Sequence, residues 1–147
     1  DSNYDEVDID LVNTIKSKSK EFVNSQLFFI EKTNNIEEYY QATDIYVLSS
    51  VREGLPNTLL EAMSCALPVI SSRLVDITDW VIDDSVDGFL YDIGDVNRLS
   101  LLLENLLRDV NLRNNIGFNA RNTIKSRFDI SFTAQEIHKL YDKLSFQ

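Results

Sequence analysis

The sequence predicts an α/β protein, a Rossmann-like parallel sheet with helices on both faces. Three observations carry this expectation. Short, mainly apolar runs recur at 27–30 (Leu-Phe-Phe-Ile), 45–48 (Ile-Tyr-Val-Leu), 68–71 (Pro-Val-Ile-Ser) and 88–91 (Gly-Phe-Leu-Tyr), each too brief for a helix. Their apolar residues are consecutive rather than alternating, the pattern of strands buried on both faces. Between and after them, apolar residues return at helical spacing, and strands that alternate with helices build βαβ units.

In chain order, a first helix is expected over 7–22, where Val7, Leu11, Ile15 and Phe22 form one stripe among polar residues. The aromatic run 27–30 should be a strand. Residues 35–41 read as a short helix that Asn35 can cap with help from Glu38, and 45–48 as a second strand. A tight loop holding Gly54 and Pro56 then leads into 58–66, a stretch of good helix formers. Pro68 suits the first position of a third strand, where no ladder donor is lost. A short helix over 77–82 and a fourth strand after the Asp87-Gly88 turn follow. Over 95–107, Leu99, Leu102, Leu103, Leu106 and Leu107 make one stripe behind an acidic opening residue suited to the helix dipole. Helices over 112–128 and 132–144 close the chain. Neither a repeat nor a Pro-, Gly- or Ser-rich linker interrupts it, so residues 1–147 read as one domain.

Composition narrows the function. With 147 residues and 44% hydrophobic content the chain has the make-up of a globular domain, and a domain of this size buries roughly 70% of the surface its unfolded chain exposes. Cys65 has no intrachain partner, so a disulfide framework is excluded; a reducing, cytoplasmic compartment and a small buried hydrophobe are the simple readings of it. Fourteen Lys and Arg against 24 Asp and Glu leave a formal charge of −10, which repels phosphate polymers and anionic lipid surfaces and argues against nucleic acid as a partner. No apolar run approaches the ~20 residues of a membrane span, and residues 1–10 are acidic where a signal peptide would be basic. No HExxH, CxxC, P-loop or GxGxxG string is present, against zinc, redox, NTPase and dinucleotide chemistry.

Ligands of open parallel sheets bind at the carboxyl ends of strands, and the most unusual such end here is Glu53-Gly-Leu-Pro-Asn-Thr-Leu-Leu-Glu61. Gly54 allows close backbone approach to a ligand or a positive φ, and Pro56 suits the first turn of a helix. The N–H groups of Asn57, Thr58 and Leu59 at that helix start form an anion site fit for a diphosphate. Glu53 and Glu61 bracket it, and each carboxylate can accept hydrogen bonds from two adjacent sugar hydroxyls.

The stretch from Ala42 to Val69 that contains this segment resembles the signature of family four retaining glycosyltransferases, the glycosyl transferases group 1, of GT-B fold. Its key element is two glutamates separated by seven residues in a Glu-Gly-x-Pro context, followed in register by the Glu61-Ala-Met63 helix and the Pro68-Val69 strand. Weaker agreement extends the resemblance over roughly residues 27–141.

The resemblance implies the donor-binding, C-terminal part of a GT-B enzyme that transfers a sugar from a nucleotide donor with retention, without a metal or other cofactor. Glu53 would be the catalytic-site carboxylate against the donor sugar, and Glu61 would hold the ribose hydroxyls. Gly54, Leu55, Pro56, Asn57, Thr58 and Leu59 would line the sugar and diphosphate. A UDP, GDP or ADP sugar is the implied partner, with a polysaccharide or glycolipid as acceptor and a cytoplasmic, peripherally membrane-associated location for the full-length protein. The acceptor domain, and the βα units whose Arg and Lys neutralise the diphosphate, are expected to precede residue 1, so that the chain alone is inactive and self-associates through an apolar edge at 27–30. Two departures from the pattern stand out: Ala66-Leu67 where a glycine usually precedes the Pro-Val strand, and Arg73-Leu-Val-Asp76 in place of a Gly-Gly turn.

Plainer readings accompany these. Glu61 follows Thr58 at capping-box spacing and can serve its own helix, while Glu53 can be a solvated loop charge. Arg52 and Arg73 read as surface arginines rather than phosphate ligands, and His138 as exposed. Trp80 and the Tyr39-Tyr40 pair read as packing residues. A non-catalytic nucleotide-binding or protein-interaction module is the alternative to an enzyme, and both carboxylates facing one cleft would favour the enzyme. A nucleotide-sugar epimerase fits the Glu-Gly-x-Pro context less well.

Overall fold

The computed structural model describes residues 9–20, 27–30 and 33–145. The chain divides into two compact units, Asp1–Asn35 and Ile36–Gln147. In the first, helix α1 spans Ile9–Lys18, inside the expected 7–22; Val7 and Phe22 lie outside the described residues. The expected strand at 27–30 is not formed. Leu27 makes a lone bridge, and Phe28 (64% exposed), Phe29 and Ile30 carry no regular structure, with the Lys16 ammonium 5.3 Å from the Phe29 ring centre. Strand propensity is largely a measure of ladder partners and packing neighbours, and these three residues have no ladder partner among the described residues.

The second unit runs α2 (Ile36–Ala42), β1 (Tyr46–Leu48), α3 (Asn57–Ser64), β2 (Val69–Ser72), α4 (Thr78–Val81), β3 (Phe89–Tyr91), α5 (Val96–Arg108), α6 (Val110–Arg127) and α7 (Ile130–Ser145). The three strands pair in parallel in the order β1-β2-β3, so the strands expected at 45–48, 68–71 and 88–91 are present, each shifted by about one residue. Pro68 sits just ahead of β2 and its carbonyl accepts the Tyr46 N–H at 3.0 Å.

Register splits the strand residues between two cores. Tyr46, Leu48, Val69 and Leu90 face one side, against Leu59, Ala62 and Met63 of α3, Tyr40 of α2 and Ala120 of α6. Ile45, Val47, Ile70, Phe89 and Tyr91 face the other, against Leu99, Leu102, Leu103 and Leu106 of α5 and Ile116 of α6. Helix α6 therefore serves both faces. Asp95 caps α5 by accepting the Arg98 N–H at 2.9 Å, and Asp109 caps α6 through the Leu112 N–H, which starts that helix earlier than the leucine pattern implies. Asp87, 3% exposed, accepts the Asp83 N–H at 2.8 Å and the Thr123 hydroxyl at 2.6 Å, tying the turn before β3 to α6. Its neighbour Gly88 has no room for a side chain, since a Cβ there would lie 2.8 Å from Val69 Cγ2.

Helix α3 ends in a Schellman motif. The Leu67 N–H bonds the Ala62 carbonyl at 3.2 Å and the Ala66 N–H bonds the Met63 carbonyl at 3.0 Å, with Ala66 left-handed at φ 61. Leu67 folds back into the core with Ala62. The usual glycine at this position is thus a conformational requirement that Ala66 meets under strain, of about 1–2 kcal/mol for an L residue. After the glycine's greater unfolded-state entropy is subtracted, Ala66→Gly is expected to stabilise the fold by about 1 kcal/mol, read as a higher urea midpoint; an unchanged or lower midpoint would refute the strain.

Candidate functional site

The carboxyl ends of β1 and β2 are joined through side chains. The buried Ser72 hydroxyl at the end of β2 donates to the Ser50 carbonyl just past β1. Thr78 donates to the Ser72 carbonyl at 2.7 Å and accepts the Leu74 N–H at 2.8 Å. The loop after β2, which here reads Arg73 to Asp76 with Asp76 left-handed at φ 61, is held by that threonine. Ser50 in turn donates to Glu53 Oε1 at 2.5 Å, so Glu53, half-buried, is oriented rather than freely solvated.

The start of α3 differs in detail from the expected anion site. Pro56, buried, is the N-cap rather than a first-turn residue, and no side chain caps the helix. The Asn57 N–H is taken by the Leu55 carbonyl at 2.9 Å and the Leu59 N–H by the Pro56 carbonyl at 3.0 Å, which leaves Thr58 alone of the three with an N–H unbonded among the described residues. Tightening of the first turn, imposed by proline's fixed φ, consumes the other two donors. Leu59 is fully buried and faces the core, whereas Leu55 is 59% exposed. Gly54 does not adopt a positive φ, and the space where its Cβ would stand is open.

Glu61 does not form the capping box with Thr58. Its Oε2 instead accepts the hydroxyl of Tyr40 at 3.0 Å, and the Tyr46 hydroxyl donates to Thr58 Oγ1 at 2.7 Å. Burial raises the Tyr46 phenol, the Thr58 hydrogen bond opposes this, and the charges of Glu53 and Glu61 both add to the rise. Glu53 and Glu61 stand before and after the start of α3 in the chain, and carboxylates can accept hydrogen bonds from the hydroxyls of a polyol ligand. Burial first, then the Glu61 hydrogen bond and charge, push the Tyr40 phenol far above its ordinary 10.0. A folded pKa above the unfolded one means stability that is complete below about pH 10 and lost as pH climbs further. The urea midpoint is expected to fall more steeply between pH 9 and 11 in the parent chain than in Tyr40→Phe; parallel profiles would refute this.

Tyr46 and Ser50 were not among the residues singled out in sequence, and Tyr40 was read there only as a packing residue; the signal available was that Tyr46 shares a strand face with Leu48, the face α3 covers. Of the pair read as packing, Tyr40 is 5% exposed but Tyr39 is 41% exposed. Trp80 stacks edge-on with Phe128 at 5.3 Å and under Arg127, yet remains 57% exposed. Cys65 is exposed, not buried, at the C-cap of α3. Arg73 lies 3.5 Å from Asp84 and 3.7 Å from Asp92, and Arg52 is exposed and already engaged. His138 is exposed on α7, 3.7 Å from Asp142. Among the described residues no group of three or more His, Cys, Asp and Glu gathers as metal ligands, and no helix is long and apolar enough to cross a membrane.

The family model for glycosyl transferases group 1 matches residues 10–123. Over 136 residues the chain is 31% identical to the UDP-Gal:alpha-D-GlcNAc-diphosphoundecaprenol alpha-1,3-galactosyltransferase of Escherichia coli, covering 91% of this chain and 35% of that protein. The chain spans about a third of the length of the curated relatives it matches. In structure it is similar to the C-terminal domain of a glycosyl transferase group 1 family protein from Francisella tularensis, with a TM-score of 0.73 at 28% identity over 84% of this chain and 65% of that one. Anabaena HepE in complex with UDP-glucose shares the fold, with a TM-score of 0.81 at 21% identity over 92% of this chain and 38% of that one.

Proposed function

The chain belongs to the glycosyl transferases group 1 family, and from that premise we propose that it is the donor-binding part of a retaining hexosyltransferase that uses a nucleotide sugar. The observation that carries the reading is the pair of held carboxylates on either side of the start of α3, Glu53 taking the Ser50 hydroxyl just past β1 and Glu61 taking the Tyr40 hydroxyl. Glu53, held by Ser50, meets hydroxyls of the donor sugar, and Glu61, held by Tyr40, meets the ribose. The Thr58 N–H and the open side of Gly54 admit the diphosphate, with Leu55, Pro56, Asn57 and Leu59 shaping that wall. A UDP sugar is the first donor to try, given the UDP-galactose named for the Escherichia coli relative.

A diphosphate leaving group needs positive charge in the transition state, and helix N–H groups supply only part of it. The 147 residues alone are therefore expected to bind donor without turnover, the remaining cations and the acceptor site coming from an N-terminal domain, with a glycan or lipid acceptor at the cytoplasmic membrane surface. The donor is bound without a metal or other cofactor, so EDTA should leave affinity unchanged. The exposed Phe28, Phe29 and Ile30 favour self-association of the isolated chain, which a monomer by light scattering at high concentration would exclude.

The test is calorimetric titration with UDP, GDP, ADP and their sugars, beside a turnover assay with mixed acceptors. Saturable binding of one nucleotide without product is the expected result. Absence of binding at millimolar ligand would mean either that basic residues from the N-terminal domain are indispensable or that the chain is a non-catalytic module, and adding that domain back separates the two.

A further inference from the structure

We propose that Tyr40 is a positioning residue for Glu61, a role that rests on the donor-site reading above. Tyr40 lies on α2, outside the Glu53 to Glu61 segment, and its ring is buried in the core beside Leu59, Ala62 and Met63, edge-on to Tyr46 with ring centres 6.1 Å apart. The ring is thus fixed by packing. Its hydroxyl has one proton and two acceptors in reach, Glu61 Oε2 at 3.0 Å and the Thr58 carbonyl at 3.4 Å. The shorter, charge-assisted bond to the carboxylate takes the proton.

Glu61 itself is exposed, and an exposed glutamate ordinarily samples many rotamers that a ligand must freeze. The Tyr40 bond holds Oε2 in advance and leaves Oε1 to accept from a ligand. Because burial and the Glu61 charge keep the phenol protonated through neutral pH, the donor is present throughout the range in which a nucleotide would bind. Tyr46 repeats the arrangement on Thr58, one turn earlier on α3, so two phenols from below organise the polar surface of that helix start. Helix α2 and strand β1 therefore contribute more than packing: their tyrosines hold Glu61 and Thr58.

The test is a double-mutant cycle in the full chain with UDP, GDP and ADP as probes, using Tyr40→Phe, Glu61→Ala and both together, with thermal midpoints in parallel. Tyr40→Phe keeps the buried ring, and its expected effect is a roughly 3- to 10-fold weaker nucleotide affinity, the scale of one hydrogen bond. In the Glu61→Ala background the same substitution should change nothing, because its only route to the ligand is gone. An unchanged Kd in Tyr40→Phe, or an equal loss of affinity in both backgrounds, overturns the role while leaving the donor site standing. A second readout needs no nucleotide: spectroscopic titration of the Tyr40 phenol should move down toward its ordinary value in Glu61→Ala. An unmoved titration overturns the hydrogen bond itself; a moved titration with no binding of any probe by the parent chain keeps the contact and overturns the ligand role with the donor-site reading.

Discussion

Gly117→Ala is expected to destabilise the fold by about 3 kcal/mol, at the upper end of overpacking costs, a fall of roughly 10 °C in thermal midpoint for a chain of this size. In an ordinary helix interior the same change gains about 1 kcal/mol, because glycine is a poor helix former. Here sterics reverse the sign. A Cβ at 117 would stand 2.0 Å from the Ala66 carbonyl oxygen, 3.0 Å from the Ala66 carbonyl carbon and 3.4 Å from the Pro68 nitrogen. All three are backbone atoms of the turn between α3 and β2, which cannot rotate aside as a side chain would. Helix α6 would have to withdraw by about an ångström, unseating Ile116 from one core and Ala120 from the other, where even small gaps forfeit dispersion energy. Denaturant unfolding of the variant decides the matter: a midpoint equal to or above the parent's would mean that α6 does not pack this closely on the turn.

Glu61→Ala should weaken nucleotide binding by about 1–3 kcal/mol, the scale of a lost hydrogen bond to a charged group, while stability falls by no more than about 1 kcal/mol. The small structural cost follows from exposure: the carboxylate loses only the Tyr40 bond within the protein, and the Tyr40 hydroxyl keeps the Thr58 carbonyl in reach at 3.4 Å. Glu61→Gln keeps one accepting oxygen and should fall between the two. Parent and Glu61→Ala chains that bind the same nucleotide equally well would remove Glu61 from the donor site, and with it the reading of the paired glutamates. Glu53 offers the matching control, since its Ser50 partner comes from the loop and not from the core.

Much of this site could be located from residues alone. The loop after β1, the two glutamates and the glycine and proline between them were visible as a pattern, because catalytic loops of parallel sheets sit at strand ends whatever the surrounding sequence. What the pattern could not contain was partner choice. Glu61 and Thr58 stand at capping-box spacing, yet the carboxylate turns to a tyrosine from another helix and leaves the cap empty. Likewise the amides of Asn57 and Leu59 look free in sequence and are spent within the first turn. Arg73, read in sequence as a surface arginine, has Asp84 and Asp92 beside it, partners that only the fold brings together.

The sequence by itself determined the class and the order of elements from residue 36 onward, since hydrophobic period and turn residues are local properties that each segment carries with it. It also determined the family, because the Glu-Gly-Leu-Pro segment, the helix and the Pro-Val strand occur in one register. Tertiary structure alone decided whether an apolar run became a strand: 45–48 gained a ladder against β2, whereas Phe28 to Ile30 found none and stayed exposed. It decided too that Ala66 must be left-handed, that Gly117 must lack a side chain, and that Tyr40 reaches Glu61. The last two depend on two segments far apart in the chain meeting within a few ångströms, and no local pattern encodes that distance.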